Sequence, residues 1–322
     1  MSIGLIGDVM LGRGVGAVLA ERPDAVVWGD DLRALASSLD LVVANLECCL
    51  SARGHRTERI AGKPFFFRGP PHATEQLRAL GIRAVGLANN HALDYEEEAL
   101  SDTLDVLAEA QIASAGAGRD LAGARRSAVV SAGRARVGLI TVSDHPAEYA
   151  AAGERPGIAH ADLRRELPPW LGEELASRRR DCDVVIAFPH WGPNMVVTPA
   201  PWQLRRAEEL QAAGADLVAG HSAHVFHGVS WTSRGPILTD LGDALDDYRV
   251  EAELRNDLGL LAVWRPGAGE QELELVGLRL RHAFTDLARD ADAQWIARRL
   301  RLASGRLRIE CVGEQRFRVV RS

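Results

Sequence analysis

The sequence predicts an α/β sandwich in which helices and strands first alternate and then give way to a mostly β segment. Short apolar runs such as Leu41–Leu46 have the length and the polar ends of buried strands, and amphipathic helices are predicted between them. The β-rich pattern begins after Val225. Alternating elements favour a sheet covered by helices, so we expect one domain over residues 1–322 whose second sheet is partly antiparallel.

The elements follow from apolar runs, glycines and capping patterns. Asp94 and Glu97 form an Asp-x-x-Glu capping pattern before a helix, and Thr198 with Pro199 resembles a cap followed by a first-turn proline. Residues 249–322 are expected to complete the second sheet with strands, a helix and a final β pair. Predicted strands are 2–7, 41–46, 83–88, 128–130, 137–142, 183–188, 216–219, 228–232, 237–239, 258–264, 273–280, 306–312 and 317–320, and predicted helices are 31–39, 71–80, 94–108, 198–213 and 284–302.

Composition limits the class of partner. The chain has 322 residues, 47% hydrophobic residues and a net charge of -6, which argues against nucleic acid as a partner. No apolar run approaches the roughly 20 residues of a membrane span, and the N-terminus lacks a secretory pattern. The four cysteines show no CxxC pairing, which favours a reducing compartment. We therefore expect a cytoplasmic protein with neither nucleic acid nor a membrane as its partner.

Polar side chains follow five of the predicted strands. Five of the 10 histidines lie in these segments. Because ligands of α/β sheets bind outside the carboxyl ends of the strands, we expect these groups to converge on one pocket. The candidate catalytic residues are Asp8, Asn90, His91, His190, His221 and His224, and the candidate substrate-binding residues are Asn45, Glu47, Lys63, Trp191 and His227.

Each candidate also has a structural interpretation. Asp8 alone suits a helix cap, the asparagines before His91 suit a turn, and Trp191 suits packing as well as a pocket wall. His227 and the nearby acidic residues suit a solvated acidic loop, which we favour; those residues are Asp240, Asp243, Asp246 and Asp247.

The long loop 51–71 also has two interpretations. It carries Lys63, the only lysine of the chain, followed by three consecutive phenylalanines, 65–67. This combination suits binding of an anionic or aromatic end of a substrate. Phenylalanines that fill the core beneath a long loop are the interpretation that we favour.

Together these segments resemble the CapA family of bacterial poly-γ-glutamate capsule synthesis proteins. The resemblance lies in GDVMLGRGV from Gly7, NLE from Asn45, LANNHALDY from Leu87, HWG from His190, GHSAHV from Gly220 and LGD from Leu241. It covers about residues 3–248. It implies a four-layer α/β/β/α sandwich like that of the calcineurin-type metallophosphoesterases.

The resemblance also implies roles for individual residues. Asp8 matches the first acidic residue of the metallophosphoesterase motifs, and His91 matches the histidine that protonates leaving groups. Three features depart from those motifs: Met10 replaces a histidine, the bridging aspartate has no clean equivalent, and two residues separate the last two histidines. One divalent ion, zinc or manganese, and a metal-free site both remain open. The possible metal ligands are Asn90, His190, His221 and His224.

Three functions are compatible with this pattern. The first is metal-independent epimerisation of a residue Cα in a peptide, with Asp8, His91, His190 and His224 as candidate acids and bases. The second is a single-metal hydrolase of a phosphate ester or of a γ-glutamyl or peptide amide. The third is a non-catalytic component of capsule synthesis. For the enzymes we expect a peptide or a small glutamyl-containing substrate.

Overall fold

The computed structural model describes residues 1–267 and 271–321. Its α-helices are α1 (Arg13–Glu21), α2 (Asp30–Ser37), α3 (Thr74–Ala79), α4 (Glu96–Glu109), α5 (Leu121–Arg125), α6 (Pro169–Asp181), α7 (Pro201–Ala213) and α8 (Asp290–Ala303). Its strands are β1 (Ile3–Val9), β2 (Leu41–Leu46), β3 (Cys49–Leu50), β4 (Arg68–Gly69), β5 (Ile82–Gly86), β6 (Ala113–Ala115), β7 (Ala117–Gly118), β8 (Ala128–Ala132), β9 (Ala135–Ser143), β10 (Gly157–Ile158), β11 (Val184–His190), β12 (Leu217–Ala219), β13 (Val229–Trp231), β14 (Pro236–Leu238), β15 (Asp243–Leu245), β16 (Leu258–Arg265), β17 (Glu272–Arg281), β18 (Phe284–Leu287), β19 (Arg308–Cys311) and β20 (Arg316–Val320).

The first sheet is half parallel and half antiparallel. Its strand order is β19-β20-β17-β16-β1-β2-β5-β6, with β15 beside β1 and β18 beside β17. Strands β1, β2, β5 and β6 run parallel to one another, whereas β16 is antiparallel to β1. The carboxyl ends of β1, β2 and β5 therefore meet at one edge of the sheet.

The second sheet has a parallel centre with antiparallel edges. Its strand order is β13-β14-β12-β11-β9-β8. Strands β9, β11, β12 and β14 are parallel, while β8 and β13 are antiparallel to their neighbours. The predicted hairpin around Gly133 and Arg134 is present as β8 and β9.

Three hydrophobic cores separate four layers. Alternate residues of β1 point to opposite faces, so that Leu5 lies in the core between the two sheets and Ile6 lies beneath helices α1 to α4. Helices α6 and α7 cover the outer face of the second sheet through residues such as Leu175 and Leu210. The predicted four-layer α/β/β/α sandwich is confirmed.

The prediction that residues 249–322 complete the second sheet is wrong. The strands β16, β17, β19 and β20 extend the first sheet, with Leu5 of β1 opposite Ala262 of β16. The apolar alternation of these strands shows that they are strands, but it carries no information about which sheet edge they join. They join the first sheet because the edge of β1 that faces away from β2 pairs with β16.

Some helix boundaries also differ from the predictions. Residues 284–287 form strand β18 rather than the start of a helix, because they pair with β17. Helix α7 begins at Pro201, not at Thr198 and Pro199, and residues 71–73 form a separate 3-10 turn before α3. Over the described residues, none of these helices has the length and apolarity to cross a membrane.

The close approach of β1 to the Gly242 loop yields a stability prediction. A Cβ added at Gly7 would lie 1.9 Å from the carbonyl oxygen of Gly242, so Gly7→Ala must push β1 away from that loop. We expect Gly7→Ala to lower the free energy of unfolding by about 1–3 kcal/mol, as overpacking does. Urea denaturation measures this change.

Gly172→Ala is the matched control for this variant. Gly172 lies inside helix α6, where an added Cβ would have its nearest neighbour at 4.0 Å. Alanine has a higher helix propensity than glycine, so Gly172→Ala should leave the free energy of unfolding unchanged or raise it by up to about 1 kcal/mol. Equal effects of the two variants would contradict the packing explanation.

Candidate functional site

The candidate site lies where strands of both sheets end. The register of the first sheet places Asp8 opposite Asn45 of β2 and opposite Asp243 of β15. In the second sheet, His190 ends β11 and forms an isolated bridge with His221, which follows β12. Strand pairing therefore brings Asp8 to Asn45 in one sheet and His190 to His221 in the other, and the packing of the two sheets brings Asp8 to within 3.3 Å of His221.

The carboxylate of Asp8 is the centre of this cluster. Its Oδ1 accepts a 2.7 Å hydrogen bond from the Asn45 amide and lies 3.3 Å from His221 Nδ1. Its Oδ2 accepts from the Ser222 backbone amide at 3.3 Å and lies 3.5 Å from His224 Nδ1. Burial raises the pKa of Asp8, but His224 and His221 outweigh it and lower the pKa overall.

His190 and His221 face each other through the same kind of atom. Their Nδ1 atoms are 2.8 Å apart, which means either a shared proton or two lone pairs that converge. Burial lowers the pKa of His221 to about 4, and burial together with the charge of His221 lowers the pKa of His190 well below its usual range. Both rings are therefore neutral near pH 7 and have the protonation state that metal ligation needs.

Buried acids occupy the opposite side of Asp8. His224 Nδ1 lies 2.8 Å from Asp243 Oδ1, and the Tyr248 hydroxyl donates to Glu47 Oε2 at 3.3 Å. Burial lowers the pKa of His224, but Asp243 and Glu47 outweigh it and raise that pKa well above its usual range. Burial and the charge of Asp8 raise the pKa of Glu47 well above its usual range.

The predicted solvated acidic loop is wrong. Asp240, Asp243 and Asp246 are buried, and the two oxygens of Asp240 accept from the backbone amides of Ala223 and Gly242 at 2.7 and 2.8 Å. Asp243 lies in strand β15, beside Asp8. A run of acidic residues in sequence indicates solvent exposure only when no neighbouring histidine or backbone amide receives the charge.

His91 forms a dyad with Asp94 at the carboxyl end of β5. His91 Nδ1 is 2.5 Å from Asp94 Oδ2, which also accepts from the Phe67 amide at 2.6 Å. Asp94 Oδ1 accepts from the Tyr149 hydroxyl at 3.1 Å and lies 3.2 Å from Lys63 Nζ. Burial lowers the pKa of His91 to about 4 despite the charge of Asp94. The ring is neutral near pH 7 and fixed at Nδ1.

The role predicted for Asp94 as a helix cap is wrong. Helix α4 begins at Glu96, and its cap residue Tyr95 makes no side-chain capping bond. The Asp-x-x-Glu pattern arises by coincidence, because Asp94 serves His91 three residues earlier. Lys63 Nζ donates to the Asn90 carbonyl at 2.8 Å, so the predicted substrate-binding lysine has internal partners.

Sequence reasoning missed a second dyad. Asp144 and His145 directly follow strand β9, and His145 Nδ1 bonds to Asp144 Oδ1. The ring of His145 lies 5.2 Å from that of His190, and one-third of its side chain is exposed. The same strand-end rule that selected His190 could have selected His145.

Two predicted substrate-binding residues face away from the cluster. Trp191 lies in the core beneath α6 and α7, where its indole nitrogen donates to the Thr239 carbonyl at 2.9 Å. His227 is buried between the Thr239 hydroxyl at 2.9 Å and the Val196 carbonyl at 2.7 Å. These positions favour structural roles for both residues.

The phenylalanines of the long loop have three different environments. Phe67 is buried and stacks on His91 with ring centroids 3.7 Å apart, which bears out the packing interpretation. Phe65 is 55% exposed, and Phe66 is half-buried, so neither of them fills the core.

The side chains present fit a divalent cation. Donor atoms of Asp8, His190 and His221 lie within 4.8 Å of one another, and so do those of Asp8, Glu47 and His224. The two sets share Asp8, so the shared anionic ligand missing from the sequence pattern is available. Within the described residues, Glu47 Oε1 and Asn90 Oδ1 are buried without a hydrogen-bond partner. A cation gives a buried oxygen of this kind a partner, and Glu47 belongs to the second donor set.

The departure at Met10 is also explained by the structure. Its side chain is buried in the core under α1, and its sulfur accepts from the Gly12 amide at 3.0 Å. The wider spacing of His221 and His224 is compatible with the site, because each ring reaches a different oxygen of Asp8.

The four-layer sandwich and its buried acid–histidine cluster define an α/β protein with a candidate site at the carboxyl ends of its strands. Residues 2–248 match the family described as bacterial capsule synthesis protein PGA_cap, and the chain belongs to this family. The resemblance predicted from the sequence is confirmed.

Two sequence relatives agree with the family assignment. A probable polyglutamine synthesis accessory protein of Mycobacterium tuberculosis is 32% identical over 351 residues, which cover 95% of this chain and 92% of the relative. The PGA biosynthesis protein CapA of Bacillus subtilis is 25% identical over 77% of this chain and 63% of its own length. A hypothetical protein from Thermus thermophilus aligns with a TM-score of 0.45 at 17% identity, over 88% of this chain and 96% of that structure.

The buried pair of Lys63 and Asp94 yields a prediction on stability. The Lys63 side chain is 8% exposed and that of Asp94 is 0% exposed, so Asp94→Asn leaves a buried ammonium without its counter-charge. We expect Asp94→Asn to lower the free energy of unfolding by about 3 kcal/mol, as loss of one partner of a buried pair does. Urea denaturation measures the loss.

Lys63→Met in both backgrounds provides the control. It removes the ammonium, so the double variant should be more stable than Asp94→Asn alone. If Lys63→Met changes the stability equally in the two backgrounds, the two side chains are not coupled and the dyad has another support.

Proposed function

We propose that this protein is a metal-dependent hydrolase that cleaves a phosphate ester or a γ-glutamyl amide. The observation that carries this proposal is the pair of donor sets that share Asp8. A set of two histidines and one carboxylate is typical of catalytic zinc sites. The set with Glu47 has the carboxylate content that suits manganese, and binding there would release the protons that the raised pKa values keep on Glu47 and His224. We therefore propose zinc or manganese as the ion.

A bound ion would polarise the scissile group and lower the pKa of a bound water. The residues of the chain have separate tasks. Asn45 holds one oxygen of Asp8 and the Ser222 amide holds the other, which fixes the direction of the carboxylate. Ser222 and His224 have positive φ angles of 114° and 57°, so the loop accepts backbone strain to present both groups to Asp8.

His91 is the candidate for proton transfer. Its Nδ1 is held by Asp94, which leaves Nε2 for a proton of the substrate or of the leaving group. A neutral ring enters the reaction as a base and becomes an acid after it has accepted a proton. Asp94 stabilises the imidazolium that forms in between.

A second candidate function is metal-independent epimerisation at a peptide Cα. It is favoured by the presence of two histidine–aspartate dyads, one after a strand of each sheet: His91 with Asp94 after β5 and His145 with Asp144 after β9. Epimerisation requires a base on one face of the Cα and an acid on the other.

Metal removal and reloading test the hydrolase. We expect chelator-treated protein to lose release of p-nitrophenol from its phosphate ester, or of p-nitroaniline from its γ-glutamyl amide, and to regain it with zinc or manganese. His190→Ala and His221→Ala should each weaken metal binding in calorimetry by more than the about 10–100-fold typical of outer-shell changes. The exposed His55→Ala is the matched control and should bind metal normally.

Deuterium incorporation separates the two functions. Hydrolysis that persists in full after complete metal removal would overturn the metal-dependent proposal. Incorporation of deuterium from D2O at a peptide Cα by the metal-free protein, lost in His91→Ala and His145→Ala, would establish the epimerase instead.

A further inference from the structure

We propose that a groove beside the candidate site binds an extended anionic segment of the substrate, such as a run of carboxylates or phosphates. We call it the arginine groove and define it by Arg13, Arg56, Arg68, Phe66 and Tyr95. This proposal rests on the proposed function, because it adds a binding subsite to the same reaction. It gives a role to the three arginines of the groove, which are not part of the cluster around Asp8.

The groove has room for a chain. Its volume is 420 Å³, and one wall is the face of helix α1 that carries Gly16, Ala17 and Ala20. Because these side chains are small, this wall leaves space for a ligand. Of the described residues that line the groove, none is acidic. An anionic ligand therefore meets no like charge on the groove surface itself.

Two of the guanidinium groups lack a carboxylate partner. Arg56 is exposed and lies over the Phe66 ring at 5.2 Å, and Arg68 lies over the Tyr95 ring at 4.0 Å. The acids Glu98 and Asp102 pair instead with Arg53. No ion pair within 4.0 Å among the described residues involves Arg56 or Arg68. Arg68 instead donates to backbone carbonyls, including that of Arg53 at 2.9 Å. The aromatic rings hold both cations in place without neutralising them.

Arg13 connects the groove to the reacting centre. Its side chain is 34% exposed, and its Nε lies 3.3 Å from Asp247. Its guanidinium lies 5.6 Å from the centre of the Phe67 ring and 5.8 Å from that of Tyr248. Phe67 stacks on His91, so a ligand on Arg13 is one aromatic ring away from the dyad.

The chemistry of the groove selects its ligand. Guanidinium groups bind carboxylates and phosphates through paired hydrogen bonds, and three of them in one groove fit several anionic groups along one chain. The net charge of the whole protein is -6, so local positive charge is needed to attract such a ligand. Binding should therefore weaken as salt screens the arginines.

Charge reversal at the exposed Arg56 tests the groove. The probe is a fluorescently labelled γ-linked oligoglutamate, and anisotropy with the full-length, chelator-treated protein measures the dissociation constant. We expect Arg56→Glu to raise this constant about tenfold at low ionic strength and less at high salt. Arg180→Glu makes the same charge change at an exposed position of helix α6 and should leave the constant unchanged.

The outcomes separate this proposal from the proposed function. Because the measurement needs neither metal nor turnover, a hydrolase that fails still leaves binding in the groove measurable. Binding of α-linked oligoglutamate or of polyphosphate with the same loss in Arg56→Glu supports the groove and identifies the anion it prefers. Equal constants for Arg56→Glu and Arg180→Glu would overturn the proposal.

Discussion

The buried carboxylate of Asp8 is the interaction on which the site depends. A carboxylate without solvent is costly unless every oxygen has a donor, and here each oxygen accepts one hydrogen bond and lies within 3.5 Å of a histidine nitrogen. Asn45 comes from the first sheet, whereas His221, Ser222 and His224 follow a strand of the second. The charge of one residue thus holds the ends of the two sheets together, and the register of β1 with β2 and β15 decides where it lies.

The remaining acids make the cluster electrostatically unbalanced. Burial raises the pKa values of Asp240, Asp243, Asp246 and Glu47, and the nearby charge of Asp8 or of Asp243 adds to that effect. Several carboxyl groups in one buried volume are stable only if some are protonated or if a cation shares the space. The buried acids therefore lower the stability of the folded protein, as is typical of functional sites in otherwise well-packed proteins.

Much of the fold and part of the site follow from the sequence. Buried parallel strands are continuous apolar runs, so the run Leu41–Leu46 predicts a strand with the bounds that the structure has. The polar residues at the ends of such runs indicate Asp8, His190 and His221 as site residues. The end of a strand does not reveal to which side the next residue points, and therefore Trp191 and His227 were assigned to the site although both face the interior.

Contacts between residues far apart in the sequence cannot be predicted from local sequence patterns. Asp94 matched a capping pattern, and only the chain fold shows that Lys63 and Tyr149 reach it from distant segments. The same holds for β16, whose apolar alternation predicts a strand but not its antiparallel partner β1. Local patterns define elements, and burial between them defines which charges meet.

The acids around Asp8 and the arginines of the groove lie in different parts of the structure. Acids fill the buried cluster, while the arginines lie outside it, and unlike charges at short range in a low dielectric attract strongly. The Arg13 guanidinium lies 5.6 Å from the centre of the Phe67 ring and 5.8 Å from that of Tyr248, and these two rings pack on His91 and His224 respectively. Among the described residues, the carboxylate within 4.0 Å of the Arg13 guanidinium is that of Asp247, not that of Glu47, so the acids around Asp8 are left without an arginine partner from helix α1.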